Sequence, residues 1–311
     1  MIISASRRTD IPAFFSEWFF RRLAEGYVLV RQPAAPHRVR RVSLAPEAVD
    51  GIVFWTKNPA PMLSRLPLLS RYAYYVQFTL NAYGKDVEEG VPSKRDVIIP
   101  VFRRLSSLIG RERVIWRYDP VFLTDRYTAE HHLHYFDKLA SLLAPWTTRC
   151  IISFLDLYRY TKRNMAGLGL RDMPSDLREE MALRMADTAR AYGLEPHMCA
   201  EDMELARTGM GRARCVDAEL LGRLGQRRLK AERDRHQRPS CGCARSIDIG
   251  AYNCCLHGCR YCYACRGPAS ARTEAAGHDV CSPLLLGHVG RDESVTDVPA
   301  EVLTDRQGFL C

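Results

Sequence analysis

Short apolar, β-branched runs alternate along the chain with longer stretches of helical periodicity. The runs are MIISAS (1–6), GIVFW (51–55), AYYVQFTL (73–80), RVIWRY (113–118), CIISFL (150–155), EPHMCA (195–200) and SIDIGAY (246–252). Their lengths suit strands better than helices. Between two of them, residues 175–192 place Leu177, Met181, Met185 and Ala189 four apart, which predicts a helix. Asp176 with Glu179 predicts its N-terminal cap, and Gly193 its stop. Thr128 predicts the start of a second helix, with Leu133, Phe136, Leu139 and Leu143 on its buried face and Pro145 beyond its end. Residues 12–25 predict a third, closed by Gly26.

Strands separated by helices imply parallel pairing with helices outside. Seven runs, with one strand unmarked, predict a closed or nearly closed TIM-like (β/α) barrel over residues 1–252. Residues 253–311 follow as a Cys-rich loop and tail packed on the same barrel. In such a barrel the chemistry gathers at the C-terminal strand ends. Those ends are polar here: Ser4, Arg7, Arg8 and Asp10; Thr56, Lys57 and Asn58; Gln77, Thr79 and Asn81; Arg117, Tyr118 and Asp119; Ser153 and Asp156; Cys199, Glu201 and Asp202. They predict a polar pocket at the barrel mouth. Residues 226–240 read as an exposed charged connection, and 266–311 as a loop-rich wrap or tail.

Composition narrows the class. The chain has 311 residues, 47% hydrophobic and 26% charged, as a soluble globular protein has. No apolar run is long enough to span a bilayer, and the N-terminus lacks the pattern of a secretory leader. The expectation is a cytoplasmic protein without membrane contact, where clustered cysteines bind metal or do redox chemistry rather than form disulfides. The net charge of +9 is spread over Arg7–Arg8, Arg38–Arg41, Arg103–Arg104 and Arg227–Arg238. A solvated Arg-rich surface accounts for this better than a nucleic-acid footprint, since no nucleic-acid-binding motif accompanies it.

Twelve cysteines carry the sharper signal. In CCLHGCRYCYAC (254–265), Cys255, Cys259 and Cys262 are spaced C-x₃-C-x₂-C. Three thiolates at that spacing suit three irons of a [4Fe–4S] cubane and leave the fourth iron open. Zinc sites more often use paired C-x₂₋₄-C elements, and Cys241 and Cys243 with the later thiols leave a zinc ribbon as the competing reading. Cys254 and Cys265 fall out of register and read as bystanders. Cys199, Cys215, Cys241 and Cys243 form a second set, suited to a fully ligated auxiliary [4Fe–4S] cluster. Cys150, Cys281 and Cys311 read as bystanders.

The C-x₃-C-x₂-C spacing, with Tyr261 before its last cysteine, resembles the signature of radical S-adenosylmethionine (SAM) enzymes. That resemblance implies SAM chelated to the open iron and a 5′-deoxyadenosyl radical formed by reductive cleavage, chemistry that belongs to the cofactor. Those enzymes carry the cysteines after their first strand, whereas here they follow the last. A circularly permuted barrel reconciles the two. Ser4 to Arg8, Arg7 included, then lie near the methionyl part of SAM, and Gln77, Thr79, Arg117 and Ser153 near its ribose, carboxylate and adenine.

Over nearly its whole length the chain is similar to the family catalogued as domain of unknown function 1848. The stretches that carry the similarity are SASRRTDIPAFFSEWF, VFWTKNP, QFTLNAYG, VIWRYDP, CIISFLDLY, CAED, CGCARSIDIGAYN and CLHGCRYCYA. The resemblance supports Cys255, Cys259 and Cys262 as cluster ligands and matches Cys199, Cys215, Cys241 and Cys243. It brings no settled reaction. The expectation is a radical SAM enzyme acting on an anionic or nucleoside-like small molecule held among Arg8, Lys57, Arg117 and Asp119. Cys199 or a tyrosine at the mouth would return a hydrogen, as an epimerase requires, and a flavodoxin or ferredoxin would be the reductant. The rivals are an iron–sulfur redox or repair protein that does not use SAM, and a zinc-stabilised nucleic-acid-binding protein.

Overall fold

Alternation of side chains along the strands sorts the protein into two apolar layers. The computed structural model describes residues 1–201, 203–301 and 303; Asp202 and Cys311, both named above, lie outside them. The strands are β1 (Ile2–Ala5), β2 (Tyr27–Gln32), β3 (Ala35–Ser43), β4 (Gly51–Thr56), β5 (Tyr74–Thr79), β6 (Val114–Val121), β7 (Arg149–Phe154), β8 (Glu195–Met198), β9 (Gly211–Arg212), β10 (Ile247–Asp248) and β11 (Ser294–Asp297). The helices are α1 (Ile11–Phe14), α2 (Ser16–Glu25), α3 (Ile99–Ile109), α4 (Ala129–Leu143), α5 (Arg159–Asn164), α6 (Ser175–Ala191), α7 (Leu205–Thr208), α8 (Ala218–Leu224) and α9 (Pro268–Ala275).

Eight strands form one sheet in the order β10-β1-β4-β5-β6-β7-β8-β9, and every pairing in it is parallel. All seven runs of the sequence reading lie in this sheet. The eighth strand is β9, two residues long and headed by Gly211, too short to leave an apolar run. Among the described residues β9 and β10 do not pair with each other, so the hydrogen-bond ladder stays open at that seam. The architecture is an α/β fold with a parallel sheet flanked by helices.

Ile3, Phe54, Val76, Trp116 and Ile152 face outward against α2, α3, α4 and α6. Phe19 meets Phe54 at 5.2 Å between ring centroids, Phe78 meets Phe102 at 4.8 Å, and Trp116 stacks on Phe136 at 5.0 Å. Ile2, Val53, Tyr75, Ile115 and Ile151 face the other way and are covered by Leu220 and Leu221 of α8 and by Cys215, Val216 and Cys243. Burial on both faces explains the near-continuous apolar runs.

The helices follow the sequence reading with two corrections. Residues 12–25 form two helices rather than one, broken at Phe15, while Gly26 in the left-handed region ends the second as expected. Asp176 lies in the first turn of α6 instead of capping it; the capping position is Pro174, with no side-chain bond. Thr128 caps α4, its hydroxyl accepting from the His131 amide.

Residues 27–43 form the β2–β3 hairpin, so Arg38, Arg40 and Arg41 are strand residues, while Val39 and Val42 of the same strand are buried. β11 pairs parallel with β3. The segment after α9 crosses α2, where the Trp18 indole donates to the Ser282 carbonyl at 2.9 Å. Among the described residues no helix is long and apolar enough to cross a membrane.

Candidate functional site

Because β10 pairs in parallel with β1, the loop that follows β10 emerges at the same rim as the loops after β1, β4 and β5. Three carboxylates, those of Asp10 and Glu88 buried and that of Asp248 partly so, hold it there. Asp10 caps α1, accepts the Lys57 amide at 2.7 Å and bonds His257 Nε2 at 2.7 Å. Asp248 of β10 accepts from Ser4 Oγ at 2.8 Å, Ser6 Oγ at 2.6 Å and the Arg7 amide at 2.8 Å. Gly250 makes this approach possible, since a Cβ there would lie 2.1 Å from Ser6 Oγ.

Glu88 is the third carboxylate. Its backbone bridges Cys259, and its carboxylate receives Lys57 Nζ at 2.7 Å, Lys94 Nζ at 2.6 Å and the Tyr261 hydroxyl. Burial works against its charge, but the two ammonium groups outweigh that and bring its pKa down to about 2. One carboxylate between two lysines leaves an excess positive charge. Burial opposes the Lys57 ammonium, yet Glu88 and Cys259 hold it above its ordinary value. For Lys94, burial and repulsion by Lys57 prevail over Glu88. The segment is also packed tightly on the cysteine loop. Gly90 donates to the His257 carbonyl at 2.8 Å, and a Cβ on it would meet the Leu256 carbonyl at 2.4 Å.

Within the loop, Cys255, Cys259, Cys262 and Cys265 line a small cavity of about 20 Å³ with Gly258, Gly267, Pro268 and Ala271. The first three are the predicted trio. Cys265, out of register in the sequence, lines the same cavity with its thiol against Cys262. Cys254 is buried and donates to the Ala251 carbonyl instead. Burial, then the Asp10 charge, raise the Cys255 thiol, and burial pushes Cys259 up to about 12 although Lys57 pulls it down. The lining fits a thiolate-held cluster. Sulfur is the donor offered, the residues between the thiols are small, and a cation stands beside Cys259.

The second set also assembles, on the inner face of the sheet. Cys199 Sγ lies 3.3 Å from Cys215 Sγ; Cys215 contacts Cys243, and Cys243 contacts Cys241. Arg117 donates to Cys215 Sγ at 3.0 Å. The Cys199 and Cys243 contacts, with Arg117, hold the Cys215 thiol well below its ordinary pKa against burial. Among the described residues no three His, Cys, Asp or Glu side chains surround a common point as the ligands of one ion do. The eleven described cysteines form no disulfide; Cys150 is buried apart and Cys281 is exposed.

The other candidates spread between the two thiol groups. Arg117 is paired with Asp119, which also favours the Lys57 ammonium. Gln77 donates to the Cys215 carbonyl at 2.9 Å and accepts from Arg117 at 3.4 Å. Arg7 donates to Ser246 Oγ, and its carbonyl accepts from the Tyr263 hydroxyl. Arg8 donates to the Gly250 carbonyl and lies 5.1 Å from the centroid of the Tyr252 ring. Ser153 is buried at the end of β7, and Thr79 is half-buried at the end of β5.

Trp55 went unnoticed in the sequence. Arg7 and Arg117 stand 5.9 and 5.1 Å from its ring centroid, and its buried indole N–H has no partner among the described residues. Its signal was an aromatic at the polar end of β4. Glu88, Lys94 and Asp248 were also missed, and only Asp248 left a signal, an acidic residue inside an apolar run.

Residues 2–264 match the family described as Domain of unknown function (DUF1848). No curated protein matches the chain.

Proposed function

The chain belongs to the domain of unknown function 1848 family, and from that premise and the geometry at the rim we propose that it is a radical SAM enzyme acting on an anionic, nucleotide- or sugar-like small molecule. The observation that carries this reading is the thiol-lined cavity at the C-terminal rim of a parallel sheet, where Cys255, Cys259 and Cys262 face one space. These three would hold a [4Fe–4S] cluster. When bound, such a cluster supplies one electron to a chelated SAM, whose cleavage yields a 5′-deoxyadenosyl radical able to abstract hydrogen.

The sheet is then a (β/α) barrel of permuted order, with the motif loop after its last strand. Lys57, held charged by Glu88 beside Cys259, offsets the negative charge of the ligand set. Arg7, Arg117 and the free Trp55 N–H supply cationic and donor groups for a carboxylate or phosphate. Ser4, Gln77, Thr79 and Ser153 edge the same face and would contact SAM or substrate. Cys199, held against Cys215, would be the hydrogen donor if the reaction is an epimerisation. Arg8 and Asp119 orient the rim through Gly250 and Arg117. A low-potential flavodoxin or ferredoxin would reduce the cluster.

The test is anaerobic purification with iron and sulfide analysis, then dithionite and SAM with a search for 5′-deoxyadenosine. The product should appear and should vanish when Cys255, Cys259 or Cys262 is changed to Ala. A cluster-loaded protein that forms none sinks the reading. Cys265 in the same cavity favours a second reading, a four-thiolate electron-transfer cluster that binds no SAM. Cys265→Ala separates them: it keeps four irons and SAM cleavage under the first and loses an iron under the second.

A further inference from the structure

We propose that Cys199, Cys215, Cys241 and Cys243 bind one tetrahedral divalent cation of the zinc type, which clasps the open seam of the sheet, in place of the auxiliary cluster suggested by counting cysteines. The inference stands apart from the SAM reading except at Cys199, whose metal-bound thiolate has no hydrogen to return, so that role would pass to a tyrosine at the mouth. Its first ground is the contact between the sulfurs. A cubane holds each thiolate on a separate iron at a separate corner, so its ligand sulfurs have to part much farther than those of a single ion. Here a contact chain runs Cys199–Cys215–Cys243–Cys241, with its first step 3.3 Å long. A tetrahedron with Zn–S arms of about 2.3 Å sets its sulfurs about 3.8 Å apart. Opening that step by about half an ångström is enough for an ion to enter. The sulfurs do not surround a common point as they stand. They are arranged as thiols that hydrogen-bond to one another, and the ion would replace the shared protons.

Charge and topology agree. Four thiolates on a divalent ion carry a net charge of −2. Arg117 donates to Cys215, and the Arg7 guanidinium is held charged in part by Cys243. Both guanidinium groups also face carboxylates, Asp119 for Arg117 and Asp234 for Arg7, so they border the thiols as shared cations. Cys199 directly follows β8, its amide bonded to Ile152 of β7 at 2.9 Å. Cys215 follows β9, and Cys241 and Cys243 precede β10. These are the two sheet edges that do not pair among the described residues. Across them, Ala244 donates to the Val216 carbonyl at 2.9 Å and Val216 donates to Cys243 Sγ at 3.4 Å. An ion at these thiols joins edges that the backbone ladder leaves apart.

The full chain carrying Cys255→Ala, Cys259→Ala and Cys262→Ala separates this site from the cluster cavity. As purified, it should hold about one zinc per chain, with an X-ray absorption edge fitted by four sulfurs at about 2.3 Å. Cobalt exchange should saturate at about one equivalent with tetrahedral d–d bands and intense sulfur-to-metal charge transfer. Adding Cys215→Ser should abolish the stoichiometric zinc; if that variant does not fold, the cobalt titration of the triple variant decides alone. Reconstitution of the triple variant to about four irons and four sulfides, or no stoichiometric metal in it, overturns the proposal. A cluster-loaded wild-type protein that keeps its zinc yet forms no 5′-deoxyadenosine would instead strike only at the SAM reading.

Discussion

Glu88→Gln removes one buried charge and leaves two. In the native protein the Glu88 carboxylate lies 2.7 Å from Lys57 Nζ and 2.6 Å from Lys94 Nζ, with only 1% of its side chain exposed. Lowering its pKa from 4.5 to about 2 corresponds to about 3 kcal/mol, at about 1.4 kcal/mol for each tenfold change in proton affinity. Breaking a buried ion pair from one side costs about 3–5 kcal/mol, because the partner charge is left uncompensated. The two figures agree, and about 3 kcal/mol is the expected loss. With a urea slope of about 3 kcal/mol per molar, the midpoint should fall by about 1 M, read by circular dichroism and tryptophan fluorescence together. The sign with pH follows from the depressed value. The stabilisation is fully present above about pH 4.5 and is lost as pH falls toward about 2. Wild type and variant should therefore converge in acid. A midpoint shift below about 0.3 M at pH 7, or a gap that widens in acid, refutes the claim that Glu88 is a compensated buried anion. Since Glu88 also anchors Cys259 and Tyr261, the variant should lose iron faster to a chelator.

Three further outcomes follow from single sites. His132 is fully buried between the Tyr118 hydroxyl and the Phe122 carbonyl, and burial lowers its pKa to about 4. Its neutral form therefore stabilises the fold above about pH 6.5, and about 3 kcal/mol of that should be lost as pH falls to about 4; His132→Gln should flatten that part of the pH–stability curve. Tyr75→Phe strips a donor from the Cys215 carbonyl and an acceptor from the Asp217 amide, both at 2.8 Å; it should cost about 1–3 kcal/mol in urea titration and weaken zinc retention without touching iron content. Gly90→Ala forces a Cβ against the Leu256 and His257 carbonyls at 2.4 and 2.9 Å; iron content after reconstitution should drop while far-ultraviolet circular dichroism stays native.

The sheet was legible because strands buried on both faces write continuous apolar runs, as VIWRY and IISF do. The rim was legible because each run ends in charge, amide or thiol. What escaped was of two kinds. β9 and the β2–β3 hairpin are too short or too rich in arginine to register as apolar runs; Arg38–Arg41 read as a surface charge run although Val39 within it and Val42 after it are buried. The other kind is long-range. Nothing around Glu88 announces that its carboxylate closes on Lys57, Lys94 and Tyr261, and nothing around Cys265 announces that it returns to the cavity of Cys262. Local pattern records which face a residue presents and leaves out which distant residue meets it there.

The position of the cysteine loop in the chain follows from the same distinction. A loop sits at the rim because of the strand it leaves and that strand's neighbours, and β10 reaches its place by pairing with β1, so a motif at the chain's end stands beside the loop near its start. Asp248 enforces this by binding Ser4, Ser6 and the Arg7 amide. The loop's own ties reach just as far: His257 meets Asp10 across 247 positions, and Tyr261 meets Glu88 across 173. Contacts of such separation form only once most of the sheet is in place, because closing the chain over that length has to be offset by structure already formed. The cavity of Cys255, Cys259 and Cys262 is therefore a product of the completed fold. A metal group delivered to it would bind a finished site, and its ligands would release their protons on binding rather than during folding.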